Sequence, residues 1–193
     1  MALARSRSSD NSTAGFSLVE VLIATLLLAM ALVTLAQLFA LSTQSNIGAR
    51  NTTFTAVLAQ QKLEELRSLT WWFDTQGLPV SDTTTNTAAS PETSTGGTGL
   101  APSPSGTLGA NTSGYVDYIG QFGDKLGGGA NAPEGTVFVR RWSVEPLPSN
   151  PNNTLVLQVL VFRNKERGNA DNGAGRVLPD EARLVTVKTR KAQ

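Results

Sequence analysis

The spacing of hydrophobic positions changes several times along the chain. Residues 1–15 are polar and include Arg5 and Arg7, whereas from Phe16 to Leu41 the sequence is apolar except for small polar residues, Glu20 and Gln37. A segment apolar on every side suits a membrane, since about 20 residues rising roughly 1.5 Å each cross a hydrocarbon core of about 30 Å. Further on, Ile47, Phe54, Val57, Leu58, Leu63, Leu66 and Leu69 recur at helical spacing, a stripe fit to lie on a sheet. That pattern leaves Arg50, Lys62, Glu65 and Arg67 for water. With no proline between Phe16 and Thr70 and Gly48 the only glycine, the sequence predicts one helix of about 55 residues.

After Trp71, Trp72 and Phe73 the pattern breaks. Residues 77–114 are dominated by Thr, Ser, Gly, Pro, Ala and Asn, and so little apolar surface cannot offset ordering entropy, which predicts a long mobile surface loop. Tyr115 to Ile119 alternate and end at Gly120, ahead of a glycine-rich turn from Asp124 to Gly129. Three stronger strand patterns follow at Thr136 to Val144, Thr154 to Phe162 and Arg183 to Thr189, divided by prolines and by the Gly/Asn-rich stretch 168–175. The expected fold is α+β: one long N-terminal helix on a small antiparallel sheet of three or four strands. Its divisions are 1–15, a leader; 16–41, a spanning helix; 42–72, the amphipathic half; 73–114, a variable loop; and 115–193, the sheet.

The apolar segment is too long for the h-region of a secretory signal peptide, which leaves an uncleaved signal anchor or a leader cut ahead of the segment. Gly15, Phe16, Ser17, Leu18, Val19 and Glu20 resemble the processing site of type IV prepilins and type II secretion pseudopilins. The resemblance implies cleavage after Gly15 by a prepilin peptidase, N-methylation of Phe16, and a role for Glu20 in assembly, meeting the Phe16 amine of an adjacent subunit. Independently of any family, a carboxylate inside a spanning segment costs about 2.5 to 3.5 kcal/mol at mid-membrane and so calls for a partner; nearer the polar leader it can sit at head-group level. Arg5 and Arg7 keep the leader cytoplasmic and send the C-terminal region across the membrane.

Leu58, Ala59, Gln60, Gln61, Lys62, Leu63, Glu64, Glu65, Leu66 and Arg67 resemble the corresponding stretch of minor pilins related to the type IV pilus modification protein PilV and of the minor pseudopilin I of type II secretion. Gln37 stands where major pilins often carry proline, which argues against a major pilin and against the kink tied to that proline. Ala36 and Ala40 form one small-xxx-small pair suited to close helix packing. The partners implied are the peptidase, other pilins or pseudopilins and an inner-membrane assembly platform. The location implied is the inner membrane, then a pilus or pseudopilus. A signal-anchored periplasmic enzyme or binding domain is the competing class.

Composition narrows the chemistry. Cysteine and histidine are absent, which excludes disulfides, Cys/His zinc sites and His-based acid/base catalysis. No phosphate-loop or GxSxG pattern occurs; Glu64 and Glu65 diverge on a helix, and Asp180 and Glu181 fall in a loop, so neither an enzyme nor a cofactor is expected. Asn169, Asp171 and Asn172 beside Gly173 lack calcium-loop spacing. The formal net charge is +1, but Asp74, Asp82, Glu92, Asp117, Asp124 and Glu134 face only Lys125 in residues 71–136, whereas bases dominate thereafter, a pattern open to docking between subunits. Arg140, Arg141 and Trp142 with Lys188, Arg190 and Lys191 outline a basic strip on which DNA is a minor candidate.

Overall fold

A computed structural model describes residues 15–83, 85, 99–164 and 180–191 of the protein. Residues 1–14 of the leader, most of the low-complexity stretch 84–98 and the Gly/Asn-rich stretch 168–175 with its calcium-like residues lie outside the described residues. The chain divides into two compact units, Met1–Asn46 and Ile47–Gln193.

Helix α1 (Leu18–Ser68) runs through both units, a little shorter at each end than the pattern predicts. Ser17 caps it: the Ser17 Oγ accepts the Glu20 backbone N–H at 3.1 Å, placing an acid in the first turn where the helix dipole favours negative charge. In the first unit the helix is apolar as far as Leu41, and none of its described residues is buried; Leu22, Leu27 and Leu28 are each about 60% exposed. Two of its hydroxyls turn back on the helix, Thr25 Oγ1 donating to the Leu22 carbonyl (2.9 Å) and Thr34 Oγ1 to the Ala31 carbonyl (2.8 Å), so these two need no water.

The second unit is α+β. Strands β1 (Trp71–Phe73) and β2 (Pro79–Ser81) form an antiparallel hairpin. Its turn is organised by Asp74, whose Oδ1 accepts the N–H groups of Gln76 (2.9 Å) and Leu78 (2.7 Å). The main sheet joins β3 (Val116–Ile119), β4 (Lys125–Gly127), β5 (Phe138–Pro146), β6 (Thr154–Arg163) and β7 (Ala182–Thr189) in the order β4-β3-β5-β6-β7, each neighbour antiparallel. The extra strand, β4, arises inside the stretch the composition marks as a turn. The chain reverses earlier, at Gly123 with φ 88°, and Lys125 and Gly127 return beside Ile119 and Tyr118.

Leu58, Ala59, Leu63 and Leu66 of α1 pack against Trp142, Val144, Leu155, Leu157, Val159 and Val161 in one core. Ile47 and Val57 of the expected stripe remain more than half exposed, and their places are taken by Thr55 and Lys62, both fully buried. Part of the low-complexity region also departs from the expectation of a mobile loop: over residues 99–114, Leu100 is buried, and the Ser103 N–H donates to the Val144 carbonyl (2.8 Å) while Ser103 Oγ accepts the Val144 N–H (3.1 Å). The second face of the sheet carries Val116, Tyr118, Val139, Leu160 and Phe162, with Leu108 and Ala132 against them.

Candidate functional site

The N-terminal junction follows directly from local structure. Gly15, Phe16 and Ser17 are non-helical and exposed, Phe16 at 82%, and a side chain added at Gly15 would meet no atom within 4 Å. Glu20 lies one turn into α1 and is exposed; Phe16, Glu20, Val21, Ala24, Thr25 and Leu28 border one shallow hollow. Phe16 and Glu20 thus share one side of the helix start, beside an open backbone. Sequence reasoning had not assigned Ser17, although Ser17-x-x-Glu20 is the pattern of an N-terminal helix box.

Within the second unit, charged groups hold the helix to the sheet. Arg140 and Asp117, opposite each other on β5 and β3, form a fully buried bidentate pair at 2.9 and 2.7 Å, and Arg140 Nη1 also donates to the Leu58 carbonyl at 3.1 Å. Lys62 stacks its ammonium 4.1 Å from the Trp142 ring centroid and pairs with Glu65 at 2.8 Å. Burial pulls the Lys62 pKa down to about 8, against the raising influence of Asp117 and Glu65. At the C-terminal end of α1, Lys188 donates to the carbonyls of Leu66, Arg67 and Leu69, and desolvation lowers its pKa to about 8.

These contacts dismantle the basic strip read from sequence. Arg140 faces the helix, while the neighbouring Arg141 faces the other side of the sheet, buried and bonded to Asn111 Oδ1 (2.9 and 2.7 Å) and the Leu108 carbonyl. Arg190 lies 3.5 Å from the Trp71 ring centroid and bonds the Val80 carbonyl. Their guanidinium groups are committed to the fold, because residues that alternate along a strand look solvent-facing only until both sheet faces are covered. The candidate carboxylates are likewise engaged: Glu64 with Arg67 (2.8 Å), Glu65 with Lys62, and Asp180 with Arg163 (4.0 Å). Among the described residues no group of three or more acids could hold a metal ion.

Residues 10–36 match the family model described as the prokaryotic N-terminal methylation motif. No curated protein and no solved structure matches the chain. The motif indicates a prepilin-type substrate of the pilin or pseudopilin kind, processed by a prepilin peptidase and assembled with other pilins. Joined to one long apolar helix packed through its second half on an antiparallel sheet, it supports a type IV pilin-like protein, a structural rather than a catalytic class.

Proposed function

We propose that the chain is the precursor of a minor pilin, cut after Gly15, methylated at Phe16 and built into a type IV pilus through the first unit of α1, acting in initiation or at the tip. The observation that carries this reading is the exposure of an apolar helix beside the junction: from Leu18 to Leu41 none of its residues is buried. Apolar area of that size costs about 25 cal/mol per Å² in water, so it calls first for lipid and then for the helices of other subunits. The inner membrane, with the second unit on its far side, is the matching location. Glu20 has the charge and position to meet the new Phe16 amine of a neighbour and fix axial register.

The test is the amount of the chain in sheared filaments from cells carrying the wild type or Glu20→Ala. The proposal expects equal cleavage of both precursors and a loss of Glu20→Ala from the filaments of at least ten-fold, since removing one partner leaves the Phe16 amine of the neighbour uncompensated in an apolar contact, at a cost of about 3–5 kcal/mol. Equal incorporation would remove Glu20 from assembly, and absence of the wild type from filaments would overturn the pilus reading.

A further inference from the structure

Within the second unit, an uncovered ring and an open cavity adjoin. The turn between β3 and β4 is tightly built: the Gly120 N–H donates to the Asp124 carbonyl (2.9 Å), the Gly123 N–H to the Gly120 carbonyl (3.3 Å), and a Cβ placed on Gly123 would lie 3.6 Å from the Phe54 ring. On this turn Phe122 is 92% exposed, the most exposed large hydrophobic residue described. Two positions on, Asp124 is exposed and enters no ion pair among the described residues. Small polar residues serve such a turn, so the fold has no need of a ring there and leaves its apolar surface in water. Gln121, the neighbour of Phe122, lines a cavity of about 320 Å³ whose lining residues all belong to the second unit. Phe54 and Phe138, ring centroids 5.1 Å apart, supply its aromatic wall, and Arg50 and Arg163 its cations. Arg163 is engaged with Asp180 at 4.0 Å, whereas Arg50 is exposed and enters no ion pair among the described residues.

Ring and cavity are complementary in size and charge. About 150 Å³ of apolar space holds a benzene ring, so the cavity has room for a phenyl group, and an arginine beside it suits the face of that ring. The acid carried by the same turn, Asp124, is the opposite of the charge that Arg50 brings to the cavity. Phe122 stands in water and does not fill the cavity of its own chain. Because the two features adjoin, two copies can exchange rings about a two-fold axis, making the same contact twice and closing the pair. We propose that two copies of the chain pair in this way, Phe122 of each against Phe54 and Phe138 of the other, and Asp124 of each facing Arg50 of the other. Two inserted rings remove about 300–500 Å² from water, short of the roughly 1,200 Å² of a stable interface. The pair is therefore weak, forms where copies are concentrated, and is read by trapping it.

The test places a benzophenone-bearing phenylalanine at position 122 of the full chain, in cells that also make a second, differently tagged copy. After irradiation, adducts carrying both tags are counted and mapped by mass spectrometry. The same probe at position 78, where Leu78 is 58% exposed beside the β1–β2 turn, measures random encounter. The expected result is an adduct yield from 122 at least ten-fold above that from 78, mapped to Phe54, Phe138 or Ile47 of the second copy. Arg50→Glu in both copies sets like charges against each other and should lower the yield at least five-fold; adding Asp124→Arg should restore it. Both positions are exposed, so neither change disturbs the core. Equal yields from 122 and 78, two-tag adducts mapped away from the cavity, adducts only with a different protein or with lipid, or a yield indifferent to Arg50→Glu would each overturn the pairing.

Discussion

The two stretches of α1 are made of the same secondary structure and solve opposite problems. Up to Leu41 the helix is apolar nearly all round, and up to Asn46 it buries nothing among the described residues; from Ile47 on it is mixed, yet it buries Leu58, Lys62, Leu63 and Leu66 under a sheet. Apolar composition therefore does not say whether a helix is covered by its own chain. What decides is whether the apolar residues form a stripe that one sheet can satisfy or a full cylinder that needs a solvent of its own. The first stretch is built for partners outside the chain, and the second is built to carry a domain.

That contrast is broken most strongly at Arg140. Arg140→Met leaves Asp117 charged and buried without its partner, so the second unit should lose about 3–5 kcal/mol, read by denaturant melts in detergent, with membrane insertion unchanged. Replacing Asp117 with leucine as well should recover a large part of that loss.

Core truncation separates the stretches next. Leu66→Ala should cost about 2–5 kcal/mol because Leu66 is fully buried, whereas Leu27→Ala, 61% exposed, should leave the melt unchanged and lower incorporation into filaments. An equal effect of the two on the melt would mean that the chain covers its own apolar helix.

Lys62 gives a smaller, signed effect. Its folded pKa of about 8 lies below its ordinary 10.5, so the unfolded chain holds the extra proton between those values, and stability should rise with pH from about 8 to 10. The slope is at most about 1.4 kcal/mol per pH unit. Lys188 adds a contribution of the same sign, and the raised pKa of Tyr118 opposes it only above about pH 10. Stability curves of Lys62→Met at pH 8 and pH 10 should keep only the part of the rise that Lys188 supplies, about half of it. Smallest of all, Val57→Ser, at a stripe position the sheet leaves 56% exposed, should change stability by no more than about 0.5 kcal/mol in the same melts.

Much of this division was legible in the sequence. Period and length gave the helix, and the alternation at residues 154–162 and 183–189 located β6 and β7 almost to the residue. The methylation motif over residues 10–36 was readable because a polar run meets an apolar one there. Other features depended on neighbours far along the chain. Lys62 looks like a water-facing residue until Trp142 arrives from β5 to cover it, and Arg140 looks exposed until Asp117 comes opposite it across the β3–β5 register. Leu100 sits in a stretch too polar to suggest burial and is held there because Leu100 N–H donates to the Asp82 carbonyl at 2.9 Å. Composition reports how much a segment could bury, and not what a distant strand will bring to it.

The central claim, that the apolar stretch belongs to a processed filament subunit, is tested most directly by the intact mass of the mature N-terminus after expression with and without a prepilin peptidase. The account predicts loss of residues 1–15 and one added methyl group on Phe16 only when the peptidase is present. An intact leader under conditions that cut a control prepilin would contradict it and return the chain to an uncleaved, signal-anchored domain.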